Sequence, residues 1–280
     1  MPGHYRCAVR LLLPPSEGKL AGGRGKPLSE RPASSDLDPA RATVRDALEA
    51  LLVSADRETI ARALALPASV VDEAVTDNGS ILSTATMPAV ARYAGIVYDG
   101  LCVRELSAAA RRRADRDVLI FSGLFGVLRG GEPIPVYRVP AKASLPGLGI
   151  AGTFWRRHLD SQLPSMLGGG LIIDLRSADY AAMWKPRDEA ARARLISVRI
   201  LSPRPAGDFA VISYPSKYHK GRLAAALLER AAGSAPVASP QDILDTWSGL
   251  GGLDGRIIDS PAGVAVELRT KTAAVVSNAR

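Results

Sequence analysis

The chain is poor in the residues that build disulfide frameworks and metal clusters. Among 280 residues there are two cysteines, Cys7 and Cys102, and three histidines, His4, His158 and His219. Two cysteines make no disulfide framework and the scattered histidines have no zinc spacing, so no metal site is expected. Long apolar runs are missing too. A membrane span needs about 20 such residues, and stretches such as Gly168 to Ile173 fall far short. The first residues carry Arg6 and Arg10 ahead of three leucines, and Pro14-Pro15 then ends the run. No secretory signal is expected from this pattern, and the protein is expected to be cytoplasmic, with no membrane partner.

What remains is an ordinary globular composition, 47% hydrophobic and 23% charged, which excludes disorder as the main state. Lysine and arginine number 36 against 28 acidic residues, a net charge of +8. Such a surplus attracts anions and favours phosphate, nucleotide or nucleic acid, without choosing among them.

Local texture gives the architecture. Ala8 to Leu13 reads as a first strand that runs into Pro14-Pro15-Ser16-Glu17-Gly18-Lys19 and a polar loop. Helices are expected from Pro39, with Asp38 as cap, and then over Asp56 to Ala65, Ser69 to Thr76 and Glu105 to Ala114. Beyond Asp115, β-branched runs predict strands at Val118 to Phe121, Ile134 to Val139, Leu171 to Asp174, Val198 to Leu201 and Phe209 to Tyr214. Helices over Gly152 to Leu163, Ala181 to Leu195 and Lys217 to Ala232 interleave with them. No repeat or linker divides the chain. The expected fold is α+β, one domain over residues 1–280 with a mixed β-sheet flanked by several helices.

Four clusters carry potential chemistry. The first, Ser16 to Lys19, places a hydroxyl, a carboxylate and an ammonium where a strand ends. Its Ser-x-x-Lys pattern lacks the companion motifs of acyl transfer, and Gly25-Lys26 lacks the rest of a phosphate loop. The second is Phe121 to Arg129 with Tyr137-Arg138. A strand running into Ser122-Gly123 and a short apolar helix would bring backbone amides to an anion, held by Ser122, Arg129 and Arg138. The third, Asp174 to Tyr180, also follows a strand. The fourth, Tyr214 to Arg222, opens a helix with Lys217, Lys220 and Arg222, cations that oppose the helix dipole and so call for an anionic partner. His219 reads as a surface or packing residue. Leu244 to Gly251 has the outline of a helix-hairpin-helix, but Arg256 to Leu268 reads as a β-hairpin and not as that motif's second helix.

Taken in order, these motifs resemble the YaaA family of peroxide stress proteins. The likeness rests on Val97-Tyr98-Asp99-Gly100-Leu101, on Ser122-Gly123-Leu124-Phe125-Gly126-Val127-Leu128-Arg129, and on Pro135, Tyr137 and Arg138. Phe154-Trp155, Ser177 with Tyr180, and Lys217, Lys220 and Gly221 extend it. The resemblance implies an α+β fold of the YaaA type, survival under peroxide through lower free iron, and DNA binding; it brings no catalytic mechanism. Gly130-Gly131, Val139-Pro140 and Leu268 depart from the family pattern.

The physical expectation is a basic, hydroxyl-rich pocket at one end of the sheet, where Lys19, Tyr98, Ser122, Arg138, Ser177, Tyr180 and Lys217 converge, with Ser16, Arg129, Tyr137, Lys220 and Arg222 as further ligand-binding candidates. Lys217, Lys19 and Tyr180 are the candidate catalytic groups, lysine as base or nucleophile and tyrosine as acid. Two classes of function stay open: a stress protein that binds DNA through a basic surface ranks first on the resemblance, and an enzyme acting on a nucleotide, nucleobase or other phosphate-bearing or heteroaromatic small molecule ranks second on the residues. Peroxide chemistry at Cys7 or Cys102 ranks third, since neither has an activating cluster. Cofactor and oligomeric state stay open.

Overall fold

The computed structural model describes residues 9–271 except 33, 34, 206, 234, 261 and 262; His4, Cys7 and the tip of the C-terminal hairpin lie outside them. Eight strands form one mixed sheet: β1 (Arg10–Leu13), β2 (Val118–Ser122), β3 (Gly126–Arg129), β4 (Ile172–Asp174), β5 (Leu195–Pro203), β6 (Phe209–Ala210), β7 (Asp254–Ser260) and β8 (Gly263–Arg269). Their order is β7-β8-β5-β4-β1-β2-β3, with β6 beside β5. The run from β8 to β2 is parallel throughout, while β3 and β7 close the two edges antiparallel.

Burial explains that arrangement. Parallel strands need cover on both faces and so read as unbroken apolar runs. Leu11, Leu12 and Leu13 pair with Val118, Leu119 and Ile120, and all six are fully buried. The cover comes from α1 (Asp38–Ser54), α2 (Arg57–Ala63), α3 (Val71–Gly79), α4 (Ile96–Leu101), α5 (Ala108–Asp117), α6 (Ala151–Leu167), α7 (Ser213–Ala232) and α8 (Pro240–Gly249), with shorter turns between them. Two buried arginines hold loops to this frame. The Arg92 guanidinium donates to the carbonyls of Leu20, Ala85 and Ile134, and that of Arg41 to those of Phe125 and Val127.

Several boundaries differ from the sequence expectation, each for a physical reason. The strand expected over Ile134 to Val139 shrinks to Pro133–Ile134. Pro135 and Pro140 have no N–H for a ladder, and Asn78 takes both backbone groups of Arg138. The helix expected over Ala181 to Leu195 is split into Ala178–Ala181 and Glu189–Arg194, with Pro186 between them. β6 stops at Ala210, and α7 begins at Ser213, four residues before the expected start. Asp38 is the first helical residue and not the cap; its carboxylate accepts from the Ser35 amide and pairs with Arg41. After α8 the chain turns into β7, so the helix-hairpin-helix outline gains no second helix. Among the described residues no helix is long and apolar enough to cross a membrane.

Candidate functional site

The parallel strands fix where a ligand can sit. From β1 the chain leaves toward β2 on one side, whereas from β4 it leaves toward β5 on the other. Diverging connections open a crevice beyond the carboxyl ends of such neighbours, the usual ligand position in open parallel sheets. A cavity of about 770 Å³ opens there, walled by residues 14–17 after β1, 175–180 after β4, 95–97 at the start of α4, 140–142, and the first turns of α7. A volume of this order suits a nucleotide-sized molecule.

The walls are rigid for identifiable reasons. After β1, the Tyr98 hydroxyl donates to the Pro14 carbonyl and the Lys19 ammonium donates to that of Ser16. Gly95, at φ 114°, lets Ser16 come close, since a Cβ there would lie 2.8 Å from the Ser16 hydroxyl. After β4, Arg176 is clamped by Asp174 at 2.7 and 2.9 Å, donates to the Tyr180 and Trp184 carbonyls, and lies 4.2 Å above the Phe121 ring. Such a stacked bidentate pair fixes orientation as well as charge. Lys220 donates to the Arg176 carbonyl at 3.0 Å and so ties α7 to this loop.

Of the residues singled out from sequence, Ser16, Ser177, Tyr180, Lys217 and Lys220 come together in the cavity wall. Lys217 is exposed and makes no hydrogen bond or ion pair among the described residues. Burial lowers the Lys220 pKa and raises that of Tyr180. Lys19, Tyr93, Tyr98, Ser122 and Tyr137 form a layer behind the wall. The Ser122 hydroxyl accepts from the amides of Leu124 and Phe125, so its proton goes to Tyr137, which also bonds Tyr93. The Lys19 ammonium sits 4.1 Å above the Tyr137 ring. Burial takes its pKa down to about 7, with Glu17 opposing and Arg138 adding to the effect.

Three candidates are placed elsewhere. The Arg138 guanidinium belongs to α3, paired with Glu73 at 2.8 Å and Asp77 at 3.7 Å. Arg129 lines a separate cleft of about 470 Å³ with Arg31, Asp115 and Glu132, because β3 carries it antiparallel to the far edge. Arg222 lies outside the cavity wall and acts on His219, whose pKa is lowered by burial and then by this neighbour. Sequence reasoning missed Lys142, Ser213 and Ser216, which line the cavity. Ser213 and Ser216 became visible only once α7 started four residues early; Lys142 carried no signal. Among the described residues no three of His, Cys, Asp and Glu come together as a metal-ligand set.

Comparison with known proteins agrees with the motifs. A family model described as "Peroxide stress protein YaaA" matches residues 9–242. The chain belongs to this family. It is 41% identical over 244 residues to a UPF0246 protein of Streptomyces coelicolor, covering 86% of this chain and 90% of that one. UPF0246 proteins of Corynebacterium efficiens and Corynebacterium glutamicum share 35% and 34% over 219 and 222 residues, each covering 78% of this chain and 84% of the relative. The cavity wall, from Pro14 to Lys220, falls within the matched span.

Proposed function

We propose that this YaaA-family protein binds a phosphate-bearing heteroaromatic small molecule, a nucleotide in class, in the cavity, acts on it there, and serves the peroxide-stress response through that molecule. The observation that supports this most is the basic wall at the start of α7. Lys217 and Lys220 face the cavity beside Ser213 and Ser216, and the 20-residue helix begins with no side-chain cap and no acid in its first turn. The first turn leaves the amides of Ser213 and Tyr214 without a helical acceptor, since Pro215 has no N–H and Ser216 donates to the Ile212 carbonyl; with the positive end of the helix dipole and two lysines they suit a phosphate. Ser216 adds a separate sign: it is only 5% exposed, lines the cavity, and its hydroxyl has no hydrogen-bond partner among the described residues. In this reading Lys217 and Tyr180 are the groups that touch the ligand, while Lys19 and Tyr98 position the wall. Lower free iron is then an indirect consequence of turnover.

The test is ligand-dependent thermal stabilisation by nucleotides, compared between the native protein and Lys217→Ala. Stabilisation that falls by about tenfold in apparent affinity in the variant, the loss of one charge-assisted contact, is expected. Equal behaviour of both proteins would remove the cavity from the function. A second reading, DNA binding by a basic face, is favoured by a different observation. Arg10, Arg113 and Arg116 all converge on the single buried Asp117, leaving guanidinium charge in excess at the amino end of the parallel strands, opposite the cavity.

A further inference from the structure

The cavity carries charges of both signs that leave one another unpaired. Glu17 and Asp179 line it together with Lys142, Lys217 and Lys220, and among the described residues no ion pair joins these carboxylates to these lysines. Glu17 and these lysines also come from different elements: Glu17 stands on the loop after β1, Lys217 and Lys220 on the first turns of α7, and Asp179 on the loop after β4 that Lys220 ties to α7. One wall therefore offers the Glu17 carboxylate and another the α7 ammonium groups. Pro14, Val97, Pro140 and Leu175 add apolar surface to the lining.

A ligand that satisfies both walls needs an anionic group at one end and hydrogen-bond donors at the other, joined by a body that tolerates apolar flanks. A carboxylate offers two acceptors side by side, and its best complement is a pair of parallel N–H groups. An adenine edge turns a ring-nitrogen acceptor toward such a carboxylate and is repelled. A guanine edge presents a ring N–H beside an exocyclic amine and fits.

We propose that the ligand is a guanine-type nucleotide, its phosphate on Ser216, Lys217 and Lys220 and its amine-bearing edge read by Glu17. The assignment rests on the reading that a phosphate-bearing molecule occupies the cavity. Glu17 is then the specificity-determining residue, and Lys217 contributes affinity without base preference.

Calorimetric titration of the full chain with GMP, IMP and AMP tests this, using the native protein, Glu17→Gln and Lys217→Ala. Glu17 is exposed, so its amide isostere leaves folding intact. The native protein is expected to bind GMP at least about tenfold more tightly than IMP, the worth of one paired donor. Glu17→Gln is expected to bring that preference below about threefold, since the amide offers one acceptor in place of two. Lys217→Ala is expected to weaken all three nucleotides alike. Absence of a GMP preference in the native protein, or its survival in Glu17→Gln, overturns the assignment of the edge. In that case a common loss in Lys217→Ala would leave the phosphate reading standing. If no nucleotide binds the native protein, both readings fall.

Discussion

Lys19 shows how one residue ties the site to solution conditions. It is half-buried between Tyr93 and Tyr137, faces Glu17, Arg138, Asp77 and Arg92, and donates to the Ser16 carbonyl. Its folded pKa, about 7, lies below the ordinary lysine value of 10.5. Between those values the unfolded chain holds the proton more than the folded one, so stability rises with pH across that window. The rise is at most about 1.4 kcal/mol for each pH unit. Below pH 7 the folded protein carries the full cost of a charged, desolvated ammonium. Lys19→Met is expected to flatten this slope, so that thermal melts of variant and native protein converge as pH climbs from 7 toward 10. Parallel curves would show that Lys19 keeps its charge at neutral pH. At this scale the sequence was informative where chemistry is local: Ser16, Ser177, Tyr180, Lys217 and Lys220 stand out as polar residues at element ends. It misled where a charge has a remote partner, as with Arg138, whose acids lie some 60 residues earlier in α3.

Between elements, the decisive contact is the crossing of α4 and α7. A Cβ at Gly221 would sit 1.9 Å from the Val97 carbonyl oxygen, and one at Gly100 would sit 2.2 Å from that of Tyr218. Backbone thus packs on backbone, and the two helices hold Val97 and Ile96 on one side of the cavity and Ser216, Lys217 and Lys220 on the other. Gly221→Ala is expected to cost about 3 kcal/mol or more, at or above the top of the usual range for overpacking. It should also weaken phosphate binding at temperatures where the variant is still folded. Gly79→Ala, at the end of α3 with nothing within 4 Å of the added atom, should change stability little. Chemical denaturation of both proteins checks this, and equal midpoints would mean that the helices can separate freely. The strand runs at β1, β2 and β4 were legible because fully buried parallel strands are uninterrupted apolar sequence. The start of α7 was not, because Ile212, Ser213 and Tyr214 carry no helix-start signal and Pro215 reads as a break until it is seen in the first turn.

Across the whole molecule, the parallel sheet separates two charged regions at opposite ends of its strands. The cavity lies beyond the carboxyl ends of β1 and β4, while Arg10, at the start of β1, and the end of α5 lie at the amino end. There Asp117, 1% exposed, binds three guanidiniums, of which that of Arg116 is 55% exposed; Arg112 is exposed beside them. If the +8 charge serves DNA at this end, phosphate contacts release counterions and affinity falls linearly on a log–log plot against salt. Arg112→Ala and Arg116→Ala are each expected to reduce that slope by about one, with nucleotide binding unchanged. Lys217→Ala is expected to do the reverse, weakening nucleotides while leaving the DNA slope intact. Fluorescence anisotropy of a short duplex at several salt concentrations, with and without saturating nucleotide, measures both. Loss of DNA binding in Lys217→Ala, or competition between DNA and nucleotide, would place both anions in the cavity and leave the arginines around Asp117 a structural role, holding the start of β1 to the end of α5.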